Sequence, residues 1–341
     1  MSDSCVLPRF SASDAVRIGK DLYDLEGPVK ALHGERDLNF RIDDERGRFV
    51  LKIANAEESR QMLDCQHRVF DRLAEAQVFE ENARVLPSVN GLEIESVTDA
   101  SGQAHDCRVL PFIEGRLWSD LETTSTGLLE QLGNRLGAID QALDGYSHPG
   151  LERSLLWDME KTGTRLGNYK ALLESEQDLQ LVEHFESAYL QHVAPNADRF
   201  RRRVIHNDAN RGNVLVSGDG QRVISIIDFG DMIEGWLMLE PAVAATYAMH
   251  GQGDPLAKAA ALAKGYHRSL ALDELEIGVL FDLMGMRLCM SLCLCAYQQQ
   301  LQPDNAYLSI DQQQTRSLLQ QLQPIPREQA QQCLREACTQ P

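Results

Sequence analysis

Basic residues are scarce in this sequence. Lys and Arg total 33 against 51 Asp and Glu in 341 residues, a formal charge of −18. A chain that must neutralise the phosphates of a nucleic acid needs the opposite balance, so a nucleic-acid partner is disfavoured. The acidity mildly favours a cationic ligand, although a negative surface commonly serves only solubility. The eight Cys (Cys5, Cys65, Cys107, Cys289, Cys293, Cys295, Cys333 and Cys338) form no pair of CxxC motifs, and no His cluster stands near them. That argues against a zinc site. Cys289 and Cys293 lie one helical turn apart in an apolar run, where Cys behaves as a small hydrophobe. The opening MSDSCVLPRF lacks a basic segment followed by an apolar core, so the expectation is a cytoplasmic chain with reduced thiols. An unbroken apolar run of membrane length is missing too. The longest, IGVLFDLMGMRLCMSLCLCAY (277–297), is interrupted by Asp282 and Arg287 and fits a buried helix better than a span. No internal repeat is visible.

What is present suffices for two lobes with sizeable cores. Residues 1–110 read as strand-rich, with β-type runs FRI (40–42) and RFVLKI (48–53) around a polar turn containing Gly47. EESRQMLDCQHRVFDRLAEA (57–76) has the apolar spacing of an amphipathic helix. Further strands are expected around ARVLPSV, GLEIESV and CRVLPFI, with turns at Gly91 and at residues 101–103. After a connector at 111–115 the texture becomes helical, near 127–143, 155–172 and 176–191. Asp254-Pro255 opens another helix, Asp273 caps a long one through 297, and the Gln-rich tail near 311–340 is also periodic. One β-like stretch interrupts this half, RVIHNDANRGNVLVSGDGQRVISIIDFGD (203–231), whose two apolar runs join through SGDG as a hairpin. The expected class is therefore α+β. A β-rich N-terminal lobe (1–110) precedes the connector, and a larger helical lobe (116–341) carries the hairpin 203–231.

That hairpin concentrates polar residues between buried runs. His206, Asp208 and Asn213 form H-x-D-x-x-x-x-N, and Asp228 follows in IIDFGD at the end of the second run. Protein kinases use this pattern: a catalytic-loop Asp, an Asn five residues later and a DFG Asp. The residue types suit the chemistry. Mg²⁺ takes hard oxygen ligands, here the Asn213 amide oxygen and the Asp228 carboxylate, and neutralises charge on the β- and γ-phosphates. Asp208 then orients the incoming hydroxyl and accepts its proton. His206 either fixes the loop through a backbone group or moves a proton. A polar hairpin with Asx turns at Asn207, Asp208 and Asn210 would account for HxD alone. The full set at this spacing favours phosphoryl transfer.

The N-terminal half should then grip the nucleotide. Lys52 sits mid-strand in FVLKIAN, where an α- and β-phosphate contact competes with a solvated sheet face. HGERDLNF (33–40), with Gly34 and Arg36, is the candidate phosphate-covering turn, although no GxGxxG is present. VLPFIEG (109–115), including Pro111 and Ile113, is the candidate purine-binding connector.

On IHNDANRGNVLV, IIDFGDM, FVLKIAN and the two-lobe layout, the sequence resembles the aminoglycoside phosphotransferase and choline kinase superfamily over about residues 20–300. No APE-type motif follows IDFGD, unlike in protein kinases proper. The resemblance implies a bilobal protein-kinase-like fold, Mg²⁺, ATP or GTP as donor, and phosphorylation of a small-molecule hydroxyl. GERDLNFRI, GRFVLKIAN and HNDANRGNVLV are most similar to the hydroxylysine-kinase-like branch. Two departures stand out. Where the resemblance places the helix Glu that usually pairs with the strand Lys, this sequence has Gln66, which would offer Lys52 a neutral hydrogen bond; Glu57 and Glu58 stand earlier in the same segment. The usual Asp-Leu-Ala reads Glu240-Pro241-Ala242, which puts support of the fold in question.

An amino-alcohol acceptor needs a carboxylate for its ammonium. Asp231, Glu234 and Glu240 follow the metal Asp closely, and Trp157-Asp158 combines an indole face with a carboxylate. For each of these a packing or surface role competes. For Arg211 a phosphate or substrate-carboxylate contact competes with a surface salt bridge. The expected acceptor is a cationic or zwitterionic small molecule, 5-hydroxylysine first, with choline, ethanolamine, homoserine and aminoglycosides as alternatives. A nucleotide-binding pseudokinase regulator is the alternative from another class. No nucleic-acid or membrane partner is expected, and the oligomeric state is left open.

Overall fold

The computed structural model describes residues 8–34, 36–80, 83–301 and 306–339. Cys5 and Glu35 lie outside them. The chain divides into two compact units, Met1–Glu114 with Ser147–Glu152, and Gly115–Tyr146 with Arg153–Pro341. The first is built on a β-sheet and the second is helical.

The first unit opens with helix α1 (Ala12–Tyr23), which the strand-rich reading of residues 1–110 overlooks. Ser11 and Asp14 form a capping box at its start, satisfying N–H groups that the first turn leaves unpaired. Strands β1 (Val29–Leu32), β2 (Leu38–Asp44) and β3 (Gly47–Ile53) precede helix α2 (Arg60–Glu75), and β4 (Glu95–Thr98) and β5 (Ala104–Pro111) follow it. The sheet order is β1-β2-β3-β5-β4, all pairs antiparallel. Of ARVLPSV only Leu86 pairs, as a lone bridge to Val109.

Strand alternation gives the sheet two different faces. Phe40, Ile42, Leu51, Ile53, Cys107 and Val109 form a core with Ala15, Ile18 and Tyr23 of α1 and with Leu25. The opposite face carries Asn39, Lys52 and Arg108 abreast, since Asn39 pairs with Lys52 and Lys52 with Arg108. Residues 147–152 join this unit because His148 Nε2 lies 3.0 Å from Asp64 Oδ2 on α2. A side chain at Gly150 would also run into the Gln61 carbonyl, 2.6 Å from its Cβ.

In the second unit β6 (Arg116–Leu117) pairs with the later hairpin. Helices α3 (Thr126–Ala142), α4 (Thr162–Lys170) and α5 (Glu176–His192) follow. The segment expected as helix over 155–172 begins instead with a tight turn, Met159–Lys161, and becomes α-helical only from Thr162. Strands β7 (Arg202–Ile205), β8 (Val214–Val216), β9 (Val223–Ile226) and β10 (Ile233–Trp236) come next. β8 and β9 form the expected hairpin, closed at Gly220 with φ +70°, while β7 pairs with β10.

The rest is helical: α6 (Leu239–Ala248), α7 (Pro255–Ser269), α8 (Glu274–Leu301), α9 (Ala306–Leu322) and α10 (Arg327–Thr339). Asp254 caps α7 with Pro255 at its first position. Asp273 and Glu276 cap α8 reciprocally, at 2.8 and 2.9 Å. α8 is long and apolar enough to cross a membrane, but 94% of its most apolar window is buried within the protein. The tail is two helices because Pro324 and Pro326 interrupt it.

Helices α3 and α7 cross at backbone contact through glycine. A Cβ at Gly133 would sit 2.0 Å from Leu262 O, and one at Gly265 1.9 Å from Glu130 O. The close crossing lets Tyr266 Oη donate to the buried carboxylate of Asp140. In an open helix Ala is favoured over Gly by about 1 kcal/mol, whereas forcing atoms into a packed contact costs about 1–3 kcal/mol or more. Gly265→Ala is therefore expected to lower the unfolding free energy by about 2 kcal/mol in urea denaturation. A stabilised variant would show that the helices are not in contact there.

Candidate active site

The catalytic-loop candidates are fixed from both sides by one residue. Ile227 N–H donates to Asn213 O at 2.8 Å, and Ile227 O accepts from His206 Nε2–H at 3.0 Å. His206 Nδ1 in turn accepts from the Asp208 N–H at 3.2 Å. The ring is fully buried and edge-on to Phe229. Burial pushes its pKa down, so both nitrogens are committed to backbone groups in the neutral form. That geometry gives His206 a loop-fixing role, with both ring nitrogens occupied by backbone groups. Asn207 and Asp228 both have positive φ, 64° and 63°, a conformation that costs most side chains energy and that Asn and Asp tolerate best.

Asp208 lies at the centre, its side chain 22% exposed. Oδ2 accepts from Asn213 Nδ2 and from Asn210 Nδ2, each at 2.9 Å. Asn213 Nδ2 also holds the Asp208 backbone carbonyl at 2.9 Å. With its nitrogen so used, the Asn213 side-chain oxygen accepts no hydrogen bond among the described residues. Burial raises the Asp208 pKa to about 7, opposed by Arg287 and Asn210 and assisted by the charges of Asp231 and Asp228. A carboxylate near pH 7 is matched to accepting a hydroxyl proton at physiological pH.

Asn213 stands immediately before β8 and Asp228 just beyond β9, and the pairing of Val214 with Ile226 brings these ends together. An amide oxygen and a carboxylate side by side suit a hard cation. Among the described residues no group of three or more His, Cys, Asp and Glu converges to hold an ion. A bound Mg²⁺ would thus draw its remaining ligands from phosphates and water, as that ion commonly does.

The other sequence candidates divide. Asp231 is 8% exposed; its carbonyl accepts from Asn207 Nδ2 at 3.2 Å, and its charge acts on Asp208. Trp157 also joins this group, but its ring faces the guanidinium of Arg287 at 4.2 Å. The cation on its face is the protein's own. Asp158 does not join. It caps the Met159–Lys161 turn through the Glu160 N–H and pairs with Lys161 at 2.7 Å. Glu234 is exposed on β10, 4.0 Å from Arg202, a surface pair. Arg211 forms no salt bridge among the described residues. It packs over Trp118 and donates to Leu121 O at 2.9 Å, because β6 and the turn after it bring those carbonyls to the loop.

Glu240 answers the question raised by the altered Asp-Leu-Ala. Its Oε2 accepts the Asn207 N–H at 3.1 Å, with the side chain fully buried. The longer carboxylate supports the catalytic loop directly.

Arg287, which in the sequence only breaks an apolar run, is part of the site. It projects from α8, is 1% exposed, and places Nη2 3.8 Å from Asp208 Oδ1. A guanidinium inside an otherwise apolar helix is a detectable signal, since an unpaired buried charge is costly.

In the first unit Lys52 stands between Asn39 and Arg108 on one sheet face. Gln66 does not bond Lys52. Its Oε1 accepts from Arg108 Nη2, whose side chain also reaches Leu63 O at 3.3 Å. Arg108, 2% exposed, was not legible as a site neighbour because only the β3–β5 register sets it beside Lys52. Gly34 lies in the β1–β2 turn, where a Cβ would stand 2.4 Å from Asp37 O; Arg36 is exposed at the same turn. Pro111 ends β5 and Ile113 is buried two residues on, before the unit boundary after Glu114.

Residues 29–275 match the model of a phosphotransferase enzyme family, APH. The chain is 27% identical to hydroxylysine kinase of Mus musculus, over 94% of this chain and 91% of that one. It is 28% identical to hydroxylysine kinase of Xenopus laevis, over 89% and 87%. Among solved structures, an amicoumacin kinase in complex with AMP-PNP, Ca²⁺ and Ami superposes with a TM-score of 0.71 at 18% identity, covering 94% of this chain and 97% of that one. A microcompartment-associated aminopropanol kinase gives 0.71 at 16%, covering 97% and 99%. The protein-kinase-like fold follows from these likenesses.

Burial raises the Glu240 pKa to about 7, against the lowering effect of the Asn207 and His206 backbone groups. The buried Asp140 is raised as well, by burial and then by the Glu240 charge. In an unfolded chain Glu titrates near ~4.3. Between these values the folded state keeps a proton that the unfolded state releases, so stability falls as pH rises through that window. Glu240→Gln keeps the acceptor for Asn207 and removes the charge. It is expected to reduce the fall in unfolding free energy between pH 5 and pH 8 by about 2–3 kcal/mol. An unchanged pH slope in urea denaturation would contradict a buried, proton-holding Glu240.

Proposed function

Because the chain belongs to the APH phosphotransferase enzyme family and is a small-molecule kinase acting on a hydroxyl group, we propose that it transfers the γ-phosphate of ATP or GTP, with Mg²⁺, to the hydroxyl of a hydroxylated amino acid, 5-hydroxylysine first among candidates. The observation that carries the chemistry is Asp208, raised to about 7 and bonded to Asn213. The observation that carries the acceptor is the likeness to hydroxylysine kinases along some nine-tenths of the chain.

Asp208 orients the acceptor hydroxyl and takes its proton as the new oxygen–phosphorus bond forms and the nucleoside diphosphate leaves. Asn213 and Asp228 would hold the Mg²⁺, which when bound neutralises charge on the β- and γ-phosphates. Lys52, flanked by Arg108, contacts the α- and β-phosphates, and the turn with Gly34 and Arg36 covers them. The connector with Pro111 and Ile113 receives the purine. Asp231 supplies negative charge for an acceptor ammonium.

The test is nucleoside-diphosphate release with Mg²⁺ and either ATP or GTP. The acceptors are 5-hydroxylysine, homoserine, choline, ethanolamine and kanamycin. Turnover with 5-hydroxylysine is expected, reduced about 10²–10⁴-fold in Asp208→Asn. Since Asp208 must be ionised to accept a proton, kcat/KM should fall as pH drops through about 7. Nucleotide binding without acceptor-dependent turnover would contradict the reading.

A further inference from the structure

The interior of the second unit holds a cation whose surroundings do not account for it. Arg287 is 1% exposed on a helix that is otherwise almost wholly apolar around it. Among the described residues its one hydrogen bond runs from Nη2 to Tyr247 Oη at 2.9 Å. Nε and Nη1 are buried and find no acceptor among those residues. A buried guanidinium with two unsatisfied nitrogens is costly, and such donors normally find partners. Asp282, the other charge that interrupts this apolar run, behaves ordinarily: Arg327 grips its carboxylate at 2.7–3.0 Å.

Position narrows what would satisfy Arg287. The two oxygens of Asp208 face different neighbours. Oδ2 is held by Asn210 and Asn213 at 2.9 Å, whereas Oδ1 is the oxygen nearest Arg287, at 3.8 Å. The metal-side Asn and the guanidinium therefore address opposite oxygens of the base. An anion at Arg287 belongs to the molecule whose hydroxyl meets Asp208, and not to the nucleotide. Trp157 faces the guanidinium at 4.2 Å and Tyr247 at 5.8 Å, with Tyr247 Oη also accepting from Nη2. That fixes the plane in which its donors point. A planar fork of fixed orientation matches a carboxylate better than a point charge would.

We propose that Arg287 binds the acceptor's carboxylate, so that this kinase selects hydroxylated amino acids over amino alcohols lacking an acid group. The inference rests on the kinase reading above and adds the residue that sets acceptor class. Arg287 is a specificity-determining residue here, and Trp157 and Tyr247 position it.

Two ligands separate the possibilities, 5-hydroxylysine and its decarboxylated counterpart 1,5-diaminopentan-2-ol. Affinity is measured by calorimetry in the presence of a non-hydrolysable nucleotide, and kcat/KM by turnover. The wild type is expected to favour the carboxylate-bearing ligand by between about 10- and 100-fold, the usual strength of a hydrogen bond to a charged group. Arg287→Met should abolish that preference in affinity by weakening the binding of 5-hydroxylysine alone. The Met side chain suits the apolar setting, so melting temperature should hold or rise. Should that variant not fold, Tyr247→Phe is expected to reduce the same preference several-fold.

Equal affinity of the wild type for both ligands overturns the proposal, and so does binding of neither. An equal loss for both ligands in Arg287→Met also overturns it, because that pattern means Arg287 serves only Asp208. Carboxylate-selective binding without turnover would uphold Arg287 and refute the kinase reading. Turnover of both ligands alike would do the reverse.

Discussion

The arrangement depends on the peptide group of Ile227. Its N–H is held by Asn213 and its carbonyl by His206, so the residue before Asp228 ties the catalytic loop to the hairpin at two points. Asp208, Asn213 and Asp228 come from three places in a 21-residue stretch. These two bonds convert sequence spacing into fixed separation. Phosphoryl transfer gains mainly from positioning and charge neutralisation, so a rigid loop is itself part of the chemistry. The buried His206 is suited to this work because its burial keeps it neutral, with one nitrogen donating and the other accepting.

A second layer holds that loop against the helices. Glu240 on α6 takes the Asn207 N–H, and Asp140 on α3 is bonded to Tyr266 on α7. The α3–α7 crossing that makes this possible requires glycine at 133 and 265, where any Cβ would meet a carbonyl. Glu240, Asp140, Asp208 and Arg287 are thus charged or chargeable groups placed in a helical interior. Apolar residues there would stabilise the fold more readily. Their presence makes sense through the loop they fix and the site they line.

Much of this was legible in the sequence, and the remainder divides by physical cause. HxDxxxxN and IDFGD could be read because their spacing is local and the SGDG turn sets the hairpin's register. Caps at Asp254 and Asp273 were legible for the same reason. Helix α1 carried its own signals, the Ser11–Asp14 box and apolar residues at Ala15, Ile18 and Leu22, beneath a reading weighted toward strands. Arg108, Arg211 and Arg287 were different. Each acts on a partner far away in sequence: Gln66 through β-register, the carbonyls of Trp118 and Leu121 through β6, and Asp208 through helix packing. Trp157 illustrates the limit well. Its suitability for a cation was apparent, but not that the cation is Arg287.

The central claim is that phosphoryl transfer at Asp208 ends on a hydroxyl oxygen of an amino acid. Phosphorus NMR of the reaction mixture with 5-hydroxylysine tests it most directly, because the chemical bond formed is observed. The account predicts a single new phosphomonoester resonance, coupled to one carbon-bound proton and absent with Asp208→Asn. Inorganic phosphate alone, or a phosphoramidate on an amine, would contradict it.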